Sequence, residues 1–165
     1  MADTRIRSLK ATSILRDDHR RVKQLFSEIE SLGSEAEPES KMELFEEIKH
    51  ELDAHATVEE EIFYPAIEEL RGDDEEAGRI VDEAREAHET VKMLLEELGR
   101  LEGSDESFDG KVKILAESVE QHAEEEEETM FPFFDQLPEE RRDEVTEQLR
   151  SRKAELLEEE ENDGE

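Results

Sequence analysis

The sequence of 165 residues contains no cysteine and no tryptophan, and it contains a single tyrosine. Without cysteine, the chain has no disulfide, no thiolate nucleophile, no cysteine-ligated zinc site and no iron–sulfur cluster held by its own side chains. A metal site built from this chain must therefore use nitrogen and oxygen ligands.

Basic residues are also scarce. The chain has 21 Lys and Arg residues against 52 Asp and Glu residues, which gives a net charge of −31. A surface of this charge repels nucleic acids and anionic membranes, so we expect neither as a partner. The acidic residues are spread along the whole chain, and this pattern resembles the proteins of salt-accumulating halophiles, whose acidic surfaces stay hydrated in concentrated salt.

Long apolar runs are missing too. No run approaches the roughly 20 apolar residues that span a bilayer, and the N-terminal segment lacks the apolar core of a secretion signal. We therefore predict a cytoplasmic protein. The length fits one domain, residues 1–165, and the apolar content of 33% indicates a narrow core such as that of a helical bundle.

Apolar residues recur at spacings of three and four, which predicts an all-α fold. Ser13 and Ser40 are predicted N-caps, and Pro65 is expected to kink or tighten the second helix near its end. We expect residues 13–136 to form an up-down-up-down four-helix bundle of two pseudo-repeated helical hairpins, with residues 137–160 as an accessory helix. The predicted helices run from between Ser8 and Ser13 to before Gly33, from Ser40 to about Leu70, from about Asp74 to Leu101, from about Phe108 to Phe134, and from Pro138 to about Glu158.

One motif occurs twice, as HATVEEEIFYP from residue 55 and as HAEEEEETMFP from residue 122. Each copy begins with a histidine and has a glutamate four residues later, Glu59 or Glu126, on the same face of a helix. Both pairs continue an apolar stripe that faces the core. The predicted inward residues are Phe45, Ile48, Leu52, His55, Glu59, Ile62 and Ala66 in the second helix, and Val112, Leu115, Val119, His122, Glu126, Thr129 and Phe133 in the fourth.

The first and third helices each carry one histidine, His19 or His88, on a similar stripe. A single buried histidine is usually satisfied by ordinary hydrogen bonds. Four imidazoles and two carboxylates in one small core need a common partner, because an uncompensated buried carboxylate costs several kcal/mol. A pair of metal ions is the economical candidate.

Imidazole and carboxylate ligands suit iron, manganese or zinc. We expect one ion between His19 and His55, another between His88 and His122, and bridging by the two glutamates, although the spacing alone leaves the histidine pairing open. His50 lies off the stripe and is predicted to be solvated. The Phe63–Tyr64–Pro65 and Met130–Phe131–Pro132 endings are interpreted as packing and helix termination.

These segments, with DHRRVKQLF around His19 and EAHETVKMLLEEL around His88, resemble the hemerythrin-like, or HHE cation-binding, domain family over about residues 13 to 136. The resemblance implies a non-haem di-iron centre, bridged by an oxo or hydroxo group, that binds oxygen or reacts with oxygen, nitric oxide or peroxide, or that handles iron. The metal ligands implied by the resemblance are His19, His55, Glu59, His88, His122 and Glu126.

The chain departs from the oxygen-carrying members of that family. Those members have a second histidine four residues away on the third helix, whereas this chain has Ala84 before His88 and Lys92 after it. The second carboxylate is Glu126, where the carriers tend to have an aspartate five residues past the histidine. The missing ligand could be supplied by Tyr64, Glu60, Glu89, Glu125 or water.

Three functions remain open from the sequence. The leading hypothesis is a binding or sensing protein, rather than an enzyme, whose two iron ions meet a diatomic gas such as oxygen or nitric oxide or buffer iron. The second is an oxidase or peroxidase on the same site, with no substrate pocket evident in the sequence. The third is a metal-free helical interaction module, whose stability would not change on chelation.

Overall fold

A computed structural model of the chain describes residues 10–33, 35–72 and 74–163, with side chains as far as residue 158. Every regular element in these ranges is a helix, so the predicted all-α fold is confirmed. The helices are α1 (Ala11–Leu32), α2 (38–68, made of Pro38–Val58, Glu59–Phe63 and Tyr64–Glu68), α3 (Glu75–Gly99), α4 (108–134, made of Phe108–Glu125, Glu126–Met130 and Phe131–Phe134) and α5 (Glu139–Asp163).

Neither predicted serine cap is present. Helix α2 begins with Pro38, which has no N–H to be capped, so Ser40 lies inside its first turn. Helix α1 begins at Ala11, and its backbone N–H donates to the Thr146 hydroxyl of α5 over 2.9 Å. A side chain from another helix therefore replaces the predicted Ser13 cap, while the alternative start at Ser8 lies outside the described residues.

The first four helices pack as a bundle. Helix α1 contacts α2 and α4, α3 contacts α4, and the last part of α2 contacts α3, which closes the ring. At one end the buried Lys41 ammonium donates to both oxygens of Asp109, over 3.0 and 3.1 Å, and joins the start of α2 to the start of α4. Helix α5 packs outside against α1 and α2, with Val145 and Leu149 fully buried.

Helices α2 and α4 each contain a π turn, and each π turn begins at the glutamate of the repeated motif. The N–H of Tyr64 bonds to the carbonyl of Glu59, and the N–H of Phe131 bonds to that of Glu126, five residues back in both cases. A proline follows each turn. The expectation that Pro65 would tighten its helix is wrong, because the missing N–H and the bulk of the ring are accommodated in a wider turn. A kink at this point stays a prediction.

The π turns shift the register of the apolar stripe by one residue. Of the predicted core residues, Ile62 is half-buried and Thr129 is exposed, whereas their neighbours Phe63 and Met130 are fully buried. A π turn holds more residues than an α turn, so the core-facing position comes one residue later. The inward assignment of Thr129 from a regular period of 3.6 is therefore wrong, whereas Ile62 is partly buried and packs against the hydrophobic cluster that contains Phe63.

Two hydrophobic clusters fill the bundle, one on each side of a polar layer. The lower cluster includes Phe45, Ile48 and Leu115, and the upper cluster includes the π-turn residues Phe63 and Met130. In each of the first four helices, the regular spacing of the stripe places one histidine where the chain passes from one cluster to the other. No helix among the described residues is long and apolar enough to cross a membrane.

Candidate metal centre

The polar layer between the two hydrophobic clusters contains all six residues of the predicted site. Every helix of the bundle contributes a histidine, and α2 and α4 each add a glutamate one turn later. Glu59 is fully buried and Glu126 is 2% exposed. The layer forms two groups whose ligand atoms lie within 4.8 Å of one another, namely His19, His55, Glu59 and Glu126, and His88, His122, Glu59 and Glu126.

The two groups share both glutamates. Oε1 of Glu59 lies 3.1 Å from Nε2 of His55 and 3.1 Å from Nε2 of His88. Oε1 of Glu126 lies 3.3 Å from Nε2 of His19, and its Oε2 lies 3.2 Å from Nε2 of His122. Each carboxylate therefore contacts one histidine from each helical hairpin, which is the arrangement that two adjacent cations need for bridging ligands.

Several of these buried atoms have no hydrogen-bond partner among the described residues. They are Nε2 of His19, Nε2 of His55, Oε2 of Glu59 and Oε1 of Glu126. Buried polar atoms are nearly always hydrogen-bonded, and four exceptions in one small layer need a cause. Buried nitrogen and oxygen atoms that converge without hydrogen bonds of their own fit a cation, so the residues present suit a metal site.

The Tyr64 hydroxyl lies inside the layer. From the sequence, the aromatic segment is expected to serve packing, and Tyr64 is one of several candidates for the missing ligand. The hydroxyl donates to Oε2 of Glu126 over 2.7 Å and lies 3.0 Å from Nε2 of His88 and 3.4 Å from Nε2 of His122. Burial, followed by the charges of Glu59 and Glu126, raises the pKa of Tyr64 well above its ordinary value. The phenol is thus neutral in the metal-free protein and belongs to the group of His88.

The other residues suggested as replacements for the missing histidine lie differently. Glu89 and Glu125 are exposed. Glu60 is also exposed, and its Oε1 is 3.6 Å from Nδ1 of His88, the ring nitrogen that faces away from the glutamates. Of the four candidate side chains, Tyr64 is the one whose polar atom lies between the histidines and glutamates of the layer. His50 is half-buried and lies outside both groups.

Asp18 is a buried residue of the site that the sequence analysis missed. Its Oδ2 accepts a hydrogen bond of 2.8 Å from Nδ1 of His55, and its Oδ1 contacts the Lys153 ammonium of α5. Burial alone would raise the pKa of Asp18, but the hydrogen bond and charge of His55 and the charge of Lys153 outweigh it and lower that pKa. The spacing Leu15, Asp18, Val22 fits the apolar stripe as well as His19 does, and this was the available signal.

His19 has an outer partner as well. Its Nδ1 lies 3.2 Å from Oε2 of Glu127, and the other oxygen of Glu127 pairs with Arg16 over 3.3 Å. The Phe131 ring lies nearly parallel to the His19 ring, with centroids 6.2 Å apart. These contacts orient the imidazole so that its Nε2 faces Glu126.

The charges of the layer shift the pKa values of its members in opposite directions. Burial would lower the pKa of His55, but the charge of Glu59 and hydrogen bonds with Asp18 and Glu59 raise it well above its ordinary value. Burial also opposes the charged form of His122, and Glu126 raises its pKa. For Glu126, burial is outweighed by hydrogen bonds with Glu59, His122 and His19, which lower its pKa well below the usual range. Without metal, the charged forms of His55 and His122 are thus favoured beside the glutamates.

A cavity of about 230 Å³ adjoins the polar layer on the side of the lower cluster and is bordered by all four histidines. Its apolar wall includes Val22, Leu95 and Val119, and exposed residues of α2 and α3 border its mouth. This volume has room for several water molecules. The site is therefore accessible to a small ligand, although the sequence showed no pocket.

The fold and this layer together define a helical bundle with histidine and glutamate groups that can hold metal ions. The sequence model of the hemerythrin HHE cation-binding domain matches residues 10–134. The chain belongs to this family, and the resemblance predicted from the sequence is confirmed.

Similar proteins agree with this assignment. The chain has a TM-score of 0.74 and 26% identity to a crystal structure of a hemerythrin HHE cation-binding domain-containing protein from Mycobacterium kansasii, over 90% of this chain and 87% of that one. It is 28% identical over 134 residues to an uncharacterised hemerythrin-like protein of Schizosaccharomyces pombe, which covers 79% of this chain and 64% of that protein.

A third relative is a DNA nickase of the Nostoc strain PCC 7120. It is 33% identical over 118 residues, which is 72% of this chain and 31% of that protein. The chain thus spans less than two thirds of the length of either curated relative. The similarity does not extend to the rest of the nickase.

Proposed function

We propose that this protein holds two non-haem iron ions between its four helices and uses them to bind or sense a diatomic gas, oxygen or nitric oxide, or to handle iron. The observation that supports this proposal most strongly is the sharing of Glu59 and Glu126. Each carboxylate contacts one histidine of each hairpin, which suits two adjacent ions better than one. Manganese or zinc would suit the same donors.

The proposed ligands divide into two halves. His19 and His55 would hold one ion, His88 and His122 would hold the other, and the two glutamates, which belong to both groups, would serve both ions. We propose Tyr64 as a further ligand in the half of His88, since its hydroxyl lies between His88 and Glu126. In that role it replaces the histidine that the oxygen-carrying members have on the third helix.

Bound iron would supply reversible one-electron redox chemistry and a position for an exogenous ligand. The chain provides the surroundings. Phe63, Phe131 and Phe134 are at most 2% exposed and keep water away on the side of the upper cluster. The cavity on the opposite side gives a small molecule a path to the histidines.

The cavity also favours a second candidate function. Its volume of about 230 Å³ exceeds what a diatomic gas needs. An oxidase or peroxidase that admits a small organic substrate beside the histidines would use this space. The leading proposal and this alternative share the same ligands and differ in whether the protein converts a substrate in repeated catalytic cycles.

The test uses reduced, iron-loaded protein exposed separately to oxygen, nitric oxide and peroxide, with the visible spectrum recorded against time. A stable spectral change that reverses when the gas is removed supports binding or sensing. Repeated consumption of oxygen or peroxide supports the enzyme. No spectral change with any of the three would overturn both proposals.

The similarity to a DNA nickase and the net charge of the chain are both relevant to its binding partners. The nickase acts on DNA by its name, but we propose no nucleic-acid or membrane partner for this chain, because a net charge of −31 repels phosphate groups. Cytoplasmic location stays a prediction. We also propose that the acidic surface is an adaptation to concentrated salt, since added ions screen the repulsion among its 52 carboxylates.

A further inference from the structure

Asp18 joins the metal centre to the outer helix α5. This carboxylate is 3% exposed and lies on α1, between the His55 ring of α2 and the Lys153 ammonium of α5. Its Oδ2 contacts the His55 ring, and its Oδ1 contacts the Lys153 ammonium. The three side chains form a continuous polar connection from the surface helix to a proposed metal ligand.

The charge of Lys153 makes a buried carboxylate tolerable at this position. A carboxylate taken out of water costs several kcal/mol unless charge and hydrogen bonds compensate it. One oxygen of Asp18 contacts the Lys153 ammonium, and the other accepts from Nδ1 of His55. This hydrogen bond fixes the orientation of the ring, so that Nε2 faces Glu59 at 3.1 Å.

The other histidines have weaker outer partners. Glu127, which faces His19, has 34% of its side chain exposed and also pairs with Arg16. Glu60, which faces His88, has 43% exposed and lies 3.6 Å away, beyond hydrogen-bond distance. The connection through Asp18 therefore distinguishes the His19 and His55 half of the site from the other half.

Lys153 reaches Asp18 only because α5 is docked. It lies on the same side of α5 as Val145 and Leu149, which are fully buried against the bundle. Thr146 on this side caps the start of α1, seven residues before Asp18. Helix α5 thus fixes both the helix that carries Asp18 and the cation that compensates it.

We propose that docked α5, through Lys153 and Asp18, positions His55 and sets how tightly the His19 and His55 half retains its ion. Asp18 and Lys153 act as positioning residues, since neither belongs to the two groups of histidines and glutamates. The inference rests on the proposed two-ion function. Outer-shell partners of metal-bound histidines typically change metal affinity by about 10- to 100-fold.

The experiment loads the full chain with Fe²⁺ without oxygen and follows transfer of each ion to an excess of an iron(II) chelator. The variants Lys153→Met and Asp18→Asn should release one of the two ions about tenfold faster and leave the other unchanged. Lys153→Arg, which keeps the cation, should restore slow release. Arg152→Met is the matched control, because it removes another contact between α5 and α2, the one to Glu61, without touching the site.

A second readout needs no metal. In the metal-free protein, the Nδ1 proton of His55 should give a slowly exchanging imidazole signal by NMR, and this signal should be lost in Asp18→Asn. If each ion were released at the same rate in Lys153→Met and Asp18→Asn as in wild type, the inference would be overturned while the two-ion proposal would stand. A wild-type chain that takes up fewer than two ions would instead overturn the proposed function, and the NMR signal would still report on the His55 contact.

Discussion

The two halves of the metal centre come from a repeated sequence but have different surroundings. In the His19 and His55 half, a buried carboxylate, Asp18, holds one imidazole, and an aromatic ring, Phe131, lies against the other. In the His88 and His122 half, the hydroxyl of Tyr64 lies among the nitrogens instead. In the first half, side chains outside the ligand group hold the imidazoles, whereas the second half contains an additional oxygen atom among its nitrogens.

The extra oxygen of the His88 and His122 half can be traced to one position of the repeat. Tyr64 follows Glu59 by five residues, and Phe131 follows Glu126 by five. The π turns place both rings against the site, where Tyr64 lies beside His88 and Phe131 beside His19. The repeat therefore supplies the shared ligands, and single departures from it give each half its own chemistry.

The largest effect is expected from removing a shared ligand. Replacing Glu59 or Glu126 by Gln should weaken the binding of the second ion by at least about 100-fold, because each glutamate contacts both halves. Elemental analysis after gel filtration should find two ions in wild type and one in either variant. Exposed Glu60→Gln and Glu125→Gln are the matched controls. Two tightly bound ions in both core variants would show that bridging is wrong.

A smaller effect is expected from making the halves alike. Tyr64→Phe removes the extra oxygen, and we expect about tenfold weaker binding of the ion in the His88 half with the other ion unaffected. Any visible absorption from iron-bound phenolate should vanish, because Tyr64 is the single tyrosine of the chain. Phe131→Tyr is the converse variant. An unchanged spectrum and affinity in Tyr64→Phe would remove Tyr64 from the ligand set.

The pH dependence should separate the metal-free protein from the loaded one. The raised pKa of His55 and of His122 contributes stability below the ordinary imidazole pKa of about 6.5, and this contribution is lost as the pH rises through the folded pKa. The melting temperature of the metal-free protein should thus fall above about pH 6.5.

The loaded protein should behave in the opposite way, since metal ligands must be neutral imidazoles. The gain in melting temperature on loading should therefore grow between pH 5 and 8, as measured by calorimetry on both forms. A gain that stays constant over this range would count against histidine ligation. The lowered pKa of Glu126 adds a loss of metal-free stability in acid, as the pH falls through that pKa.

The smallest difference between the halves is expected from salt. Dilution from molar to millimolar salt should lower the helical content of the metal-free protein, because the Debye length grows from about 3 Å and the acidic surface repels itself. The half-buried Arg16–Glu127 pair beside His19 is more open to screening than the buried contact of Asp18. Far-ultraviolet circular dichroism that does not change on dilution would contradict the salt adaptation.

Much of the bundle could be predicted because histidines and apolar residues share one helical period. The bounds of α3 and α4 differ from the predicted ones by at most two residues, and Asp74 caps α3 by accepting from the N–H of Glu76 over 3.0 Å. All six predicted site residues lie in one layer, since each follows the stripe of its own helix. Local periodicity is sufficient for this level of description.

The missed features depend on geometry that a regular helix does not have. On an ideal α-helix, Tyr64 would point well away from Glu59, but the π turn brings its hydroxyl to 3.4 Å from the Glu59 carboxylate. Lys153 reaches Asp18 from 135 residues away, and this contact depends on how α5 docks. Neither relation is contained in the spacing of neighbouring residues.

The central claim is that two ions share Glu59 and Glu126, and metal content per chain tests it most directly. The protein would be loaded with iron, freed of excess metal and analysed for iron and protein together, with the visible spectrum recorded after exposure to air. We predict two irons per chain and the charge-transfer bands of a bridged pair. One ion per chain, or two ions with no sign of a bridge, would contradict the account.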